Sequence, residues 1–141
     1  MISTKFLLAG RAIFTVSNDK GEHYTFCVAA PRKQQDEQNP CFFVSALTGP
    51  DNQHDYTYLG LLNGKSGNVV ITAKSAWKPE NGVDQKIVKV ARWAIRLVWE
   101  QKEVPAGYKI QHSGRCSACG RELTDPVSIE TGLGPICAGR Q

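Results

Sequence analysis

The sequence predicts an α+β protein: an antiparallel sheet of about five strands, one long amphipathic helix packed on it, and a small cysteine-bearing module at the C-terminus. Three observations carry that prediction. Residues 9–72 divide into short β-branched and aromatic runs separated by turn residues. Residues 83–99 switch to a helical apolar period. Cys116-Ser117-Ala118-Cys119-Gly120 then sets two thiols at a metal-binding spacing. The division that follows is a strand-rich unit over residues 1–107 and a C-terminal module over 108–141. With 141 residues, 41% of them hydrophobic and 21% charged, the chain has a globular balance, and it is long enough to bury roughly two thirds of its unfolded surface.

Ala12-Ile13-Phe14-Thr15-Val16 is the first strand, Ser17 to Gly21 supplies turn residues, and Tyr24-Thr25-Phe26-Cys27-Val28 is the return arm of a hairpin. Residues 30–40 hold no aliphatic side chain beyond Ala30 and read as a surface loop. Cys41 to Leu47, Tyr56 to Leu62 and Asn68 to Thr72 supply three more strands, with turns at Thr48 to Asn52 and at Asn63-Gly64. Connections this short favour antiparallel neighbours. Tyr108 to Ile110 is a further short strand leading into the C-terminal module.

The helix is predicted over Val83 to Trp99. Ile87, Val90, Ala91, Ala94, Leu97 and Val98 share one arc, and Lys89, Arg92 and Arg96 share the opposite one, with Trp93 and Trp99 at its margins. Asn81-Gly82 precedes it and Pro105-Ala106-Gly107 is the stop signal. Of the net charge of +4, three arise within residues 83–102, where Lys86, Lys89, Arg92, Arg96 and Lys102 outnumber Asp84 and Glu100. Cations there can meet phosphates and an exposed indole can stack on a base. Lys89, Arg92, Arg96 and Trp93 are therefore the candidate nucleic-acid contacts. In the competing reading the tryptophans are core and the cations form a solvated outer face.

The longest apolar runs, Val69-Val70-Ile71 and the broken stretch Ala94 to Trp99, fall far short of the roughly 20 residues of a membrane span. The N-terminal apolar stretch is only four residues before Gly10 and Arg11, so no export signal and no membrane association are expected. A reducing cytoplasm is the expected compartment, and closely spaced cysteines there are metal ligands rather than disulfides.

In a Cys-x-x-Cys-Gly turn both thiolates can face one metal, and the glycine relaxes the tight backbone. Cys137 follows with seventeen residues between it and Cys119, a separation common between the halves of a zinc site. A closed structural Zn2+ site needs a fourth donor. His112, four residues before Cys116, is the first candidate. Cys27, Cys41, His23 and His54 are the rivals, each needing the sheet to deliver it, and water is the remaining option. Leu123, Val127, Ile129, Leu133 and Ile136 are expected to pack as a small core over the metal, and Gly132 and Gly134 to bracket the bend that returns Cys137. This glycine pair lacks the helix and lysine of a phosphate-binding loop.

The stretch from His112 through Cys116, Cys119, Pro126, Ser128 and Pro135 to Cys137 and Ala138 resembles a small zinc-knuckle domain of unknown function that recurs in bacteriophage and prophage proteins. The upstream strands are more loosely similar to what precedes that domain. The resemblance implies a phage or prophage origin and a zinc site of the treble-clef or zinc-ribbon kind, and it brings no activity.

Nothing here composes a catalytic set. Three cysteines and a histidine leave no open metal position, and a deaminase-like zinc site needs His-x-Glu and a Pro-Cys pair that His112-Ser113-Gly114 and Arg115-Cys116 do not supply. Asp51, His54 and Asp55 cluster in one loop but read as solvated turn residues. The expected function is a non-enzymatic accessory protein of the host-cell cytoplasm that binds DNA or RNA. The alternative is a protein-binding inhibitor of a host or defence protein.

Overall fold

The computed structural model describes residues 2–32, 38–51, 53–123 and 126–134. Six strands, β1 (Arg11–Asn18), β2 (His23–Ala29), β3 (Cys41–Leu47), β4 (Tyr56–Asn63), β5 (Val69–Val70) and β6 (Tyr108–His112), form one antiparallel sheet in the order β5-β4-β3-β2-β1-β6. The α+β class holds, but the sheet has six strands rather than about five. The sixth, β6, is the short strand expected at Tyr108 to Ile110; it runs on to His112 and pairs with the outer edge of β1, Phe14 facing His112 and Val16 facing Ile110. The fifth strand shrinks from the expected Asn68–Thr72 to two residues.

Side-chain alternation gives the sheet two unlike faces. Ala12, Phe14 and Val16 of β1, Phe26 and Val28 of β2, and Phe42, Val44 and Ala46 of β3 all join the core. Ile13, Thr15, Cys27 and Ser45 point the other way. The register shifts between Val44 and Ser45, a bulge that lets both Leu59 and Leu62 of β4 reach the core although an unbroken alternation would separate them. At the β1–β2 turn, Asn18 Oδ1 accepts the backbone N–H groups of Lys20 and Glu22, each at 3.0 Å, which fixes the hairpin register.

Among the described residues three α-helices accompany the sheet: α1 (Thr4–Leu7), α2 (Lys86–Trp99) and α3 (Pro126–Thr131). The apolar N-terminus forms α1, capped where Ser3 Oγ accepts the Phe6 N–H at 3.4 Å, and it buries Phe6 and Leu7 completely. On α2, Val88, Ala91, Ala94, Ile95 and Val98 seal the core.

The helix predicted from Val83 starts three residues later and has 14 residues. The chain before it is spent on a 3-10 turn at Pro79–Asn81 and on left-handed Gly82, and Asp84 Oδ1 then accepts the Lys86 N–H at 2.9 Å. It also closes ahead of the Pro105 stop. Gln101 takes a left-handed φ of 55°, its N–H reaches Val98 O at 3.2 Å, and the Lys102 N–H reaches Leu97 O at 3.0 Å. That bonding pattern ends a helix without help from proline. Among the described residues no helix is long and apolar enough to cross a membrane.

Candidate functional site

The C-terminal module is a tight hairpin sewn onto the sheet by backbone hydrogen bonds. Within it, the Cys116 N–H donates to Arg121 O at 2.8 Å, the Gly120 N–H to Cys116 O at 2.8 Å and the Leu123 N–H to Gly114 O at 2.9 Å. Gly120, at a φ of 79°, takes the left-handed turn expected of it. Toward the sheet, the Arg11 N–H donates to Ser117 O at 2.8 Å and the Ser113 N–H to Ile13 O at 3.0 Å. The Ser117 N–H donates to Gly132 O at 3.1 Å, which carries the chain after α3 back over the hairpin. A Cβ on Gly132, whose φ is 78°, would come within 2.3 Å of the buried Phe6 ring.

The two described thiols of the module meet. Cys116 is buried and Cys119 exposed. Burial pushes the Cys116 thiol up, but the N–H groups of Gly134, Cys119 and Ala118 and the Cys119 thiol all converge on its sulfur and bring it down to about 7. Amides aimed at a sulfur are the surroundings of a thiolate ligand. Cys137 lies outside the described residues, and among those described no three His, Cys, Asp or Glu side chains converge.

His112, at the end of β6, has both ring nitrogens engaged. Nδ1 accepts the Gly114 N–H at 2.9 Å, and Nε2 donates to Ile129 O of α3. Among the described residues none of the upstream rivals joins Cys116 and Cys119 in a three-ligand cluster. Cys27 is buried in β2 opposite Ile13, its thiol pushed up by burial against the opposing Arg11 charge. Cys41 is exposed at the start of β3, with Sγ 3.6 Å from Asn39 O, and His23 is exposed on β2. His54 Nδ1 lies 2.9 Å from Asp51 Oδ2.

The expected small core does not form as predicted. Leu133 is buried and Leu123 half-buried, but Val127 is 69% and Ile129 49% exposed, because α3 turns them outward. Ile136 lies outside the described residues.

The candidate nucleic-acid contacts on α2 separate into two groups. The Arg92 guanidinium donates from Nε and Nη2 to Val69 O at 3.1 and 3.0 Å, and Arg96 donates to Ser66 O at 3.2 Å and Asn68 Oδ1 at 2.6 Å. Both clamp the β4–β5 turn to the helix. Lys89 and Trp93 instead line an open groove of about 710 Å3 between α2, the β1–β2 hairpin and the start of β6. Trp93 packs edge-on against Tyr108, ring centroids 5.1 Å apart. Lys20, Tyr24 and Lys86 also line the groove, beside the carboxylates Asp19 and Glu22. Lys86 Nζ bonds Glu22 Oε2 at 2.6 Å and holds that carboxyl below its usual range. Sequence reasoning missed Lys20, Tyr24 and Tyr108 because only the pairing of β6 with β1 brings Tyr108 to the groove.

The Asp51–Asp55 loop is a self-capping turn. Asp51 Oδ1 accepts the Gln53 N–H and Asp55 Oδ2 accepts the Asp51 N–H, each at 2.8 Å.

Residues 110–141 match a family described as a family of unknown function (DUF6011), so the C-terminal region carries a domain of unknown function. No curated protein and no solved structure matches the chain.

Proposed function

We propose that the chain is a phage-type, non-enzymatic accessory protein that binds DNA or RNA along the groove beside α2 and holds one structural zinc in its C-terminal module. The observation that carries the binding role is the convergence of Lys20 and Lys89 with Tyr24, Trp93 and Tyr108 around one open groove, where Lys86 is paired with Glu22. Ammonium groups serve phosphates and ring faces serve bases. Arg92 and Arg96 flank this surface, with their main work in holding the fold.

The residues present suit zinc. Cys116 and Cys119 are already in contact, with backbone amides directed at the Cys116 sulfur. Cys137 is three residues past Gly134, whose own N–H points at that sulfur, and three residues reach at most about 11 Å. In His112, Nε2–H held by the Ile129 carbonyl is the bond that orients a ligating imidazole. Nδ1 would then serve the metal in place of the Gly114 N–H. Zinc supplies no reaction here; it crosslinks chain segments, at about 10–16 kcal/mol of apparent folding energy in modules of this size.

Two measurements test the reading. Metal analysis should return one zinc per chain and a lower stoichiometry for Cys116→Ser; zinc-free protein would remove the metal centre. The Lys20→Gln/Lys89→Gln variant should lower the slope of log affinity against log salt by about 0.7–0.9 per lost contact. An unchanged slope, or no nucleic-acid binding by the native chain at low salt, would defeat the binding role. Salt-insensitive capture of a single host protein would then favour the inhibitor reading.

A further inference from the structure

On the face of the sheet turned away from α2, Arg11 of β1 and Arg115 of the hairpin line a cavity of about 320 Å3, together with Gln53, Ser113, Ser117 and, on its wall, Cys116 and Cys119. Among the described residues no Asp or Glu lines it, and neither arginine is in an ion pair. Arg11 is held in place rather than neutralised. Nη1 donates to Gln53 Oε1 at 3.3 Å, Nη2 donates to Gln53 O, and the guanidinium lies 6.0 Å from the Tyr56 ring centroid. Arg115 gives one N–H to Gly120 O at 3.2 Å. A guanidinium carries five N–H donors, so both keep donors for a ligand.

Ser117 supplies an independent pointer. It is 3% exposed, and its Oγ is the one buried side-chain polar atom without a hydrogen-bond partner among the described residues. A buried hydroxyl left unpaired costs stability, and the ordinary remedy is a polar partner, which the described residues do not supply.

We propose that this cavity binds a phosphate group. Two forked cations match tetrahedral oxyanions in geometry and charge, and the volume sits at the small end for a ligand pocket, enough for a phosphate with little attached to it. The phosphate is either a free anion or part of a nucleic-acid backbone. The site is on the opposite side of the sheet from the groove and stands independently of it. The rival use of the two arginines is to offset thiolate charge at the neighbouring cysteines.

The full chain as purified is titrated with inorganic phosphate and, separately, with a single-stranded oligonucleotide, following backbone amide and arginine side-chain NMR signals. Saturable phosphate binding that falls at least tenfold in Arg11→Gln/Arg115→Gln assigns the site to a free anion. If only oligonucleotide binding weakens in that variant, the site takes backbone phosphate. Ser117→Ala should weaken the same ligand without lowering the melting temperature, since it removes an unpaired hydroxyl. Arg11→Lys/Arg115→Lys guards against simple misfolding; it keeps the charge but loses the fork, so its affinity should fall between the two. Lys89→Gln should leave phosphate binding intact. The proposal is overturned if neither ligand responds to the double glutamine variant, or if that variant loses metal with ligand binding unchanged.

Discussion

Nineteen buried side chains, from Ile2 on the N-terminal segment to Val98 on α2, form one continuous apolar cluster in the sheet half of the molecule, whereas the described part of the C-terminal module buries only the side chains of Cys116, Ser117 and Leu133, none of them in that cluster. Val127 and Ile129 of the module face outward. Its order rests on the hairpin's backbone bonds, on the links through Arg11, Ser113 and Ser117, and, in the reading above, on zinc. Two regions of one chain thus meet the entropy of ordering by different means, hydrophobic area in one and crosslinks in the other.

Substitutions can break that contrast or sharpen it. The largest effect is expected in the sheet: Phe14→Ala, which removes a ring packed 5.7 Å from Phe26, should cost about 3–5 kcal/mol in denaturant melts. Zinc stoichiometry should not change; a loss of metal would show the two regions to be one unit. Gly132→Ala probes the seam. The left-handed backbone alone should cost about 1–3 kcal/mol, the Cβ collides with Phe6, and the local opening should appear in hydrogen exchange of the module before the sheet. Gln101→Gly acts on the sheet side only, raising the melting temperature through about 1 kcal/mol of relieved left-handed strain at the end of α2.

The smallest effect is a titration. Burial pushes the Tyr56 phenol up to about 12, with Cys27 and Asp51 adding to the shift and Arg11 opposing it. Below the ordinary tyrosine value of about 10 both folded and unfolded chains keep the proton. Between the two values only the unfolded chain loses it, so the contribution of Tyr56 to stability falls as pH rises through that window. Phenolate absorbance should show one tyrosine ionising last, and Tyr56→Phe should remove it.

The core was legible because strand alternation and the apolar arc of α2 are local patterns, and Cys41–Leu47 even keeps its predicted bounds. What escaped depends on long-range partners. Nothing near Tyr108 announces that β6 will pair with β1, so the groove against Trp93 was hidden. The Arg92 and Arg96 side chains looked free for phosphates because a sequence does not reveal that the carbonyls of Ser66 and Val69 will lie beneath them. In the module, the Cys-x-x-Cys-Gly spacing located the hairpin, but the four described residues of the expected core did not pack together as one, since α3 directs Val127 and Ile129 outward. Arg11 and Arg115 are more than a hundred residues apart in sequence and are brought together by the β1–β6 pairing and the backbone bonds through Arg11, Ser113 and Ser117.

Hydrogen exchange of the native chain, with and without a zinc chelator, tests the division of labour most directly. The expected result is that chelation strips protection from the amides of Cys116, Ser117, Gly120 and Leu123, while Phe14, Phe26 and Val44 in the sheet keep theirs. Equal loss in both regions, or a module whose protection does not change when the chelator is added, would contradict it.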